Sequence, residues 1–151
     1  MRIGIAGFGI VGRRRFTHIN ERSDMHVVAV CDRIFDGIGK LDDGTSCYKS
    51  YQTMLDPENL DVLFVCLTNE IAPHVTIAGL ESNLHVFCEK PPGRVVSDIE
   101  RVREVEAQHP DLKLMYGFNH RYHDSVQDAL RIVNSGELGR VINLRGVYGK
   151  S

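Results

Sequence analysis

The sequence predicts an α/β fold, a doubly wound parallel sheet with helices on both faces. Three observations carry that prediction. Short β-branched apolar runs alternate with helical patterns along the 151 residues, as strands joined by crossover helices do. The runs are near-continuously apolar, the mark of strands covered on both faces. The first of them ends in a glycine-rich turn, Gly7-Phe8-Gly9-Ile10-Val11-Gly12, that opens directly into a helical pattern.

Taken in order, strands are expected over residues 2–6, 26–31, 62–67, 85–88 and 112–117. Helices fall where the crossovers are needed, over 12–19, 51–55 and 71–80, the last with Asn69 as a candidate cap. A further helix starts near Ser97, which has capping-box spacing to Glu100. Ile99, Val102 and Val105 continue it at three- and four-residue steps until His109-Pro110 stops the run. The last helix spans 124–134 and ends at Ser135-Gly136, where glycine suits a left-handed C-cap. Between residues 32 and 50, Gly37, Gly39, Asp42, Asp43 and Gly44 favour turns over a full helix.

The length is that of one ordinary domain, able to bury a core without staples. With 42% hydrophobic and 25% charged residues and a net charge of -2, the composition is that of a soluble globular protein, with no electrostatic case for nucleic acid. The run Arg13-Arg14-Arg15 reads as a solvated helix face. No apolar stretch is long enough to cross a bilayer, and Met1 leads straight into a strand. Cys31, Cys47, Cys66 and Cys88 form no CxxC pair, and three of them end apolar runs. Buried thiols in a reducing compartment, the cytoplasm, are the expectation.

Context raises the value of the glycine motif. Between strand and helix, the first glycine makes the tight turn, the second lets a pyrophosphate approach the backbone, and the third allows close helix-to-strand packing. The helix N-terminus then offers free amides and a partial positive charge. Asp32 ends the second strand, 20 residues after Gly12, where a carboxylate accepts hydrogen bonds from the adenosine ribose hydroxyls. That carboxylate repels a 2'-phosphate, so NAD is expected over NADP; neighbouring Arg33 either stacks on adenine or recovers some NADP binding.

Two more clusters lie just past strand ends, where open α/β sheets bind ligands. These are Cys66-Leu67-Thr68-Asn69 with His74, and Glu89-Lys90-Pro91. Thr68 and Asn69 also suit helix capping, His74 an exposed helix position, and Glu89-Lys90 a surface ion pair. A lysine just after a buried strand is nonetheless placed to orient a hydroxyl and stabilise alkoxide charge. His120 and His123 lie three apart, but no carboxylate or cysteine other than Asp124 is near to complete a metal shell. No metal site is expected, and His120 and Arg121 are read as lining residues.

These motifs together resemble the glucose-fructose oxidoreductase/inositol dehydrogenase (Gfo/Idh/MocA) family over nearly the whole chain. The resemblance rests on Gly7, Gly9, Gly12, Asp32, the 66–69 cluster with His74, Glu89-Lys90-Pro91 and Gly117-Phe118-Asn119-His120-Arg121. It implies a Rossmann-type dinucleotide-binding domain over 1–118. Residues 119–151 then form a connecting helix and the first strand, from Gly139, of a second α+β domain that is otherwise missing. Hydride transfer between nicotinamide and a sugar, polyol or nucleotide-sugar carbon is the implied chemistry, with Lys90 as active-site lysine and homo-oligomers in the full-length form. The implied cofactor-binding set is Gly7, Phe8, Gly9, Ile10, Val11, Gly12, Asp32, Arg33, Cys66, Leu67, Thr68, Asn69, His74, Glu89 and Lys90, with His120 and Arg121 on the substrate side. Gly149-Lys150-Ser151 is similar to members acting in surface-sugar biosynthesis. A stand-alone NAD-binding or regulatory module is the alternative, favoured by length and opposed by Lys90. A methyltransferase is opposed by the Glu-Lys-Pro element.

Overall fold

The computed structural model describes residues 1–147 and 149. The chain divides into two compact units, Met1–Gly117 and Phe118–Ser151. In the first unit, β1 (Arg2–Ala6) leads through α1 (Ile10–Asn20) to β2 (His26–Cys31), then through the short β3 (Gly39–Lys40) to β4 (Ser46–Tyr48). After α2 (Tyr51–Leu55) the chain crosses to β5 (Val62–Val65), α3 (Ala72–Glu81), β6 (His85–Cys88), α4 (Val96–Glu106) and β7 (Leu114–Tyr116). The seven strands lie in the order β3-β4-β2-β1-β5-β6-β7. Every pairing is parallel except β3 with β4. The strand order therefore reverses at β1, between β2 and β5, the place where such sheets open a binding crevice.

Both faces are covered, as the apolar runs predict. On one face Ile3 and Ile5 pack with Val27, Val30, Phe16 and Ile19, the last two from α1. On the other, Ala6, Leu63, Val65, Val86 and Cys88 meet Met54 of α2, Val75 and Leu80 of α3 and Val102 of α4. Val102 is 1% exposed, and burying such a side chain contributes about 1.5–3 kcal/mol.

Several boundaries differ from the sequence reading, each for a local reason. β5 stops at Val65 because the chain turns: the Thr68 carbonyl accepts from the amides of Ile71 (3.0 Å) and Ala72 (2.9 Å). That backbone turn opens α3, so Asn69 is not its cap; Ile71 holds the position without a side-chain bond. Ser97 does not cap α4 either. Val95 stands at its N-cap, and the Asp98 carboxylate accepts from the amides of Arg94 (2.9 Å) and Val95 (3.2 Å). The stretch read as turns holds β4, which pairs with β2 at Ala29–Cys31. β7 covers only the middle of the expected 112–117.

The second unit has a 3₁₀ turn (Asn119–Tyr122) and α5 (Asp124–Ser135). Gly136 ends α5 with φ +80 in the left-handed region, as expected of a glycine C-cap. No strand forms among residues 139–147; a strand needs a neighbour to pair its backbone. Tyr148, Lys150 and Ser151 lie outside the described residues, and with them most of the Gly149-Lys150-Ser151 feature. Among the described residues, no helix is long and apolar enough to cross a membrane.

Candidate functional site

The carboxyl ends of β1, β2, β5 and β6 converge on one edge of the sheet, and the sequence motifs sit there. Gly7 takes φ +95 and donates its amide to the Cys31 carbonyl at 2.8 Å. A Cβ on Gly7 would stand 2.4 Å from the Cys66 carbonyl oxygen, and one on Gly12 only 1.9 Å from the Gly7 oxygen. The fold itself therefore demands both glycines. Gly9 is different. It is the N-cap of α1 in extended backbone (φ -76, ψ -159) that any residue adopts, and a Cβ there would meet nothing within 4 Å. Nothing among the described residues requires that position to be bare.

The Gly9 carbonyl accepts the Arg13 amide at 2.9 Å and starts the helix. The amides of Ile10, Val11 and Gly12 then lack intrahelical acceptors and carry the positive end of the helix dipole. Asp32, half-buried, stands beside this loop. Its Oδ2 accepts the Phe8 amide at 2.7 Å and its Oδ1 the Ile34 amide at 3.2 Å. Amides bond a carboxylate more firmly than they bond a neutral acceptor, so Asp32 is fixed at the rim with lone pairs to spare. Phe8 supplies backbone only: its ring is 4% exposed and packs edge-on against Phe16 at 5.5 Å. Arg33 is exposed.

At the β5 end, Cys66 is half-buried, and burial, with the nearby Glu89 carboxylate, pushes its thiol up to about 12. It is a neutral packing group. Leu67 joins the core behind it, Thr68 is exposed with its carbonyl opening α3, and Asn69 is half-buried. His74 is exposed on the first turn of α3.

At the β6 end, Glu89 is held in an ion pair: Arg15 Nε donates to its Oε1 at 2.8 Å. This corrects the reading of residues 13–15 as a solvated helix face, and Glu89 pairs with Arg15 rather than with neighbouring Lys90. Arg15 pairs, Arg13 lies 4.6 Å from the centre of the Phe8 ring, and Arg14 stays exposed. Arg15 is the residue that sequence reasoning missed, and with Glu89 74 positions further along the chain no local pattern announces the pair. Lys90 follows, exposed, with no hydrogen bond or ion pair among the described residues. The Lys90–Pro91 peptide is cis.

In the second unit, the His120 and His123 ring centres lie 4.7 Å apart with the rings tilted at 41°, and the Arg121 guanidinium lies 5.9 Å from the Tyr122 ring centre. No group of three or more His, Cys, Asp or Glu side chains arranged to hold a metal occurs among the described residues.

The crevice, the two fold-required glycines and the third, unconstrained one describe a dinucleotide cradle. Comparison with known proteins decides its kind: the Gfo/Idh/MocA oxidoreductase family, NAD-binding Rossmann fold, matches residues 1–118. The chain belongs to that family. It is similar to inositol 2-dehydrogenase of Salmonella typhimurium (strain LT2), 30% identical over 97% of this chain and 45% of that protein. Among solved structures it is similar to myo-inositol 2-dehydrogenase from Lactobacillus plantarum, with TM-score 0.79, 29% identity and coverage of 94% and 43%. Another is scyllo-inositol dehydrogenase from Lactobacillus casei with bound NAD(H) and scyllo-inositol, with TM-score 0.79, 25% identity and coverage of 92% and 42%. The chain thus spans less than half the length of the relatives it matches, and residues 1–118 are its NAD-binding Rossmann domain.

Proposed function

We propose that this chain is the cofactor-holding part of an NAD-dependent dehydrogenase acting on a CH–OH carbon of a polyol or sugar. The observation that carries the reading is Gly9, a glycine bare where neither backbone nor packing asks for one. The open space at its Cβ position suits a pyrophosphate drawn close to the backbone, next to the unpaired amides of α1. Asp32 holds the adenosine ribose hydroxyls and disfavours a 2'-phosphate. Thr68, Asn69 and His74 line the far half of the dinucleotide, and His120 and Arg121 belong to the substrate side. The names of the relatives supply the substrate class, and four free cysteines suit a reducing, cytoplasmic setting.

Bound NAD supplies the hydride acceptor when an alcohol is oxidised and, once reduced, the donor. The chain's own contribution at the reacting carbon is Lys90. Its unpaired ammonium donates a hydrogen bond to the substrate oxygen and stabilises the charge that develops there. A separate group that moves the hydroxyl proton contributes about 10²- to 10⁴-fold, and a wall that fixes the substrate adds several kcal/mol of barrier lowering. This chain supplies only half of that wall, and the proton-moving group and the rest of the wall belong to residues beyond the 151.

Assayed by itself, the polypeptide therefore binds NADH saturably and gives no turnover with inositols, sugars, sugar acids or nucleotide sugars in an NADH absorbance assay. Absence of NADH binding overturns the reading. Robust turnover that disappears in Lys90→Ala overturns the division of labour.

A further inference from the structure

Arg15 lies one turn past Gly12 on α1, the helix that follows the glycine loop, yet its side chain reaches the end of β6. Its Nε donates to Glu89 Oε1 at 2.8 Å and its Nη2 donates to the same oxygen. The guanidinium carbon lies 4.9 Å from the centre of the Phe87 ring, and Phe87 stacks on Phe64 at 4.9 Å. A planar guanidinium that stacks and forks at once is fixed in a way an ammonium is not. Glu89 is held from other sides too. Its amide donates to the Val65 carbonyl at 2.9 Å, and its Oε2 occupies room that a Cβ on Gly117 would invade, at 2.9 Å. The side chains are only 34% and 13% exposed, which separates this pair from surface ion pairs of little consequence. Breaking it leaves a shielded carboxylate without compensation.

The residue that follows Glu89 is Lys90. In sequence, Glu89 is its nearest counter-ion, and the Arg15 guanidinium occupies that carboxylate. The geometry points to Arg15 as a positioning residue: by pairing with Glu89 it ties the phosphate-binding helix to the turn bearing Lys90 and leaves the Lys90 ammonium free for ligand. The inference rests on the NAD reading above and deepens it. One ion pair sets the span between the phosphate end of the cradle, at β1, and its far end, at β6.

The test separates the two ends by ligand. ADP occupies only the glycine-loop end, whereas NADH reaches both, so wild type, Arg15→Met, Glu89→Gln and the double variant are titrated with each. Either single substitution weakens NADH by on the order of tenfold and leaves ADP within about twofold, and the double variant loses no more than either single one, as coupled partners do. Glu89→Gln, nearly isosteric, keeps the test available should Arg15→Met fold poorly. Equal losses for ADP and NADH, unchanged NADH binding, or additive losses would overturn the role of Arg15 while leaving the NAD reading standing. Wild type that binds neither ligand overturns both.

Discussion

Around β1 and β2 the carboxyl edge of the sheet is shaped by main chain, whereas around β5 and β6 it is shaped by side chains. At the first end, Gly7 turns at φ +95, Gly12 passes within a Cβ's reach of the Gly7 carbonyl, and Asp32 is held by two backbone amides. At the second, Glu89 is held by Arg15 and Phe87 supports the guanidinium. Backbone-built geometry comes from residue types at fixed short spacing and survives most side-chain changes. Side-chain geometry depends on partners brought together by the sheet, and fails when either partner is removed.

The glycines test the first half of that comparison. Gly12→Ala places a methyl group 1.9 Å from the Gly7 oxygen, a backbone clash no rotamer relieves. The expected loss of stability is about 3 kcal/mol, read as a melting temperature lower by roughly 10 °C. Unchanged melting would mean that the turn relaxes freely and is not main-chain determined. Gly9→Val makes the opposite demand, since its side chain enters open space. Circular dichroism and melting stay as in wild type while NADH affinity falls by about a hundredfold, or about 2.7 kcal/mol. A folded Gly9→Val protein with normal NADH affinity would show that the pyrophosphate lies elsewhere.

The same contrast explains what was legible in the sequence. β1, β2 and β6 match the expected boundaries because three to five apolar residues in a row signal a doubly covered strand. β3 and β4 escaped because two- and three-residue strands among glycines and aspartates carry no such run. The caps expected at Asn69 and Ser97 gave way to other groups nearby, a Thr68 carbonyl in one case and the Asp98 carboxylate in the other. The glycine loop and Asp32 were readable because their spacing is local. Arg15 with Glu89 was not, because only the fold brings the two together.

The central claim is that this edge is a cradle built for NAD(H), with Asp32 as the residue that selects it, and titration calorimetry of the 151-residue polypeptide tests it most directly. NADH should bind at least about tenfold more tightly than NADPH, a difference of about 1.4 kcal/mol, and Asp32→Ala should erase the difference by weakening NADH and admitting the 2'-phosphate. Equal affinities in wild type, or tighter NADPH, would contradict the account.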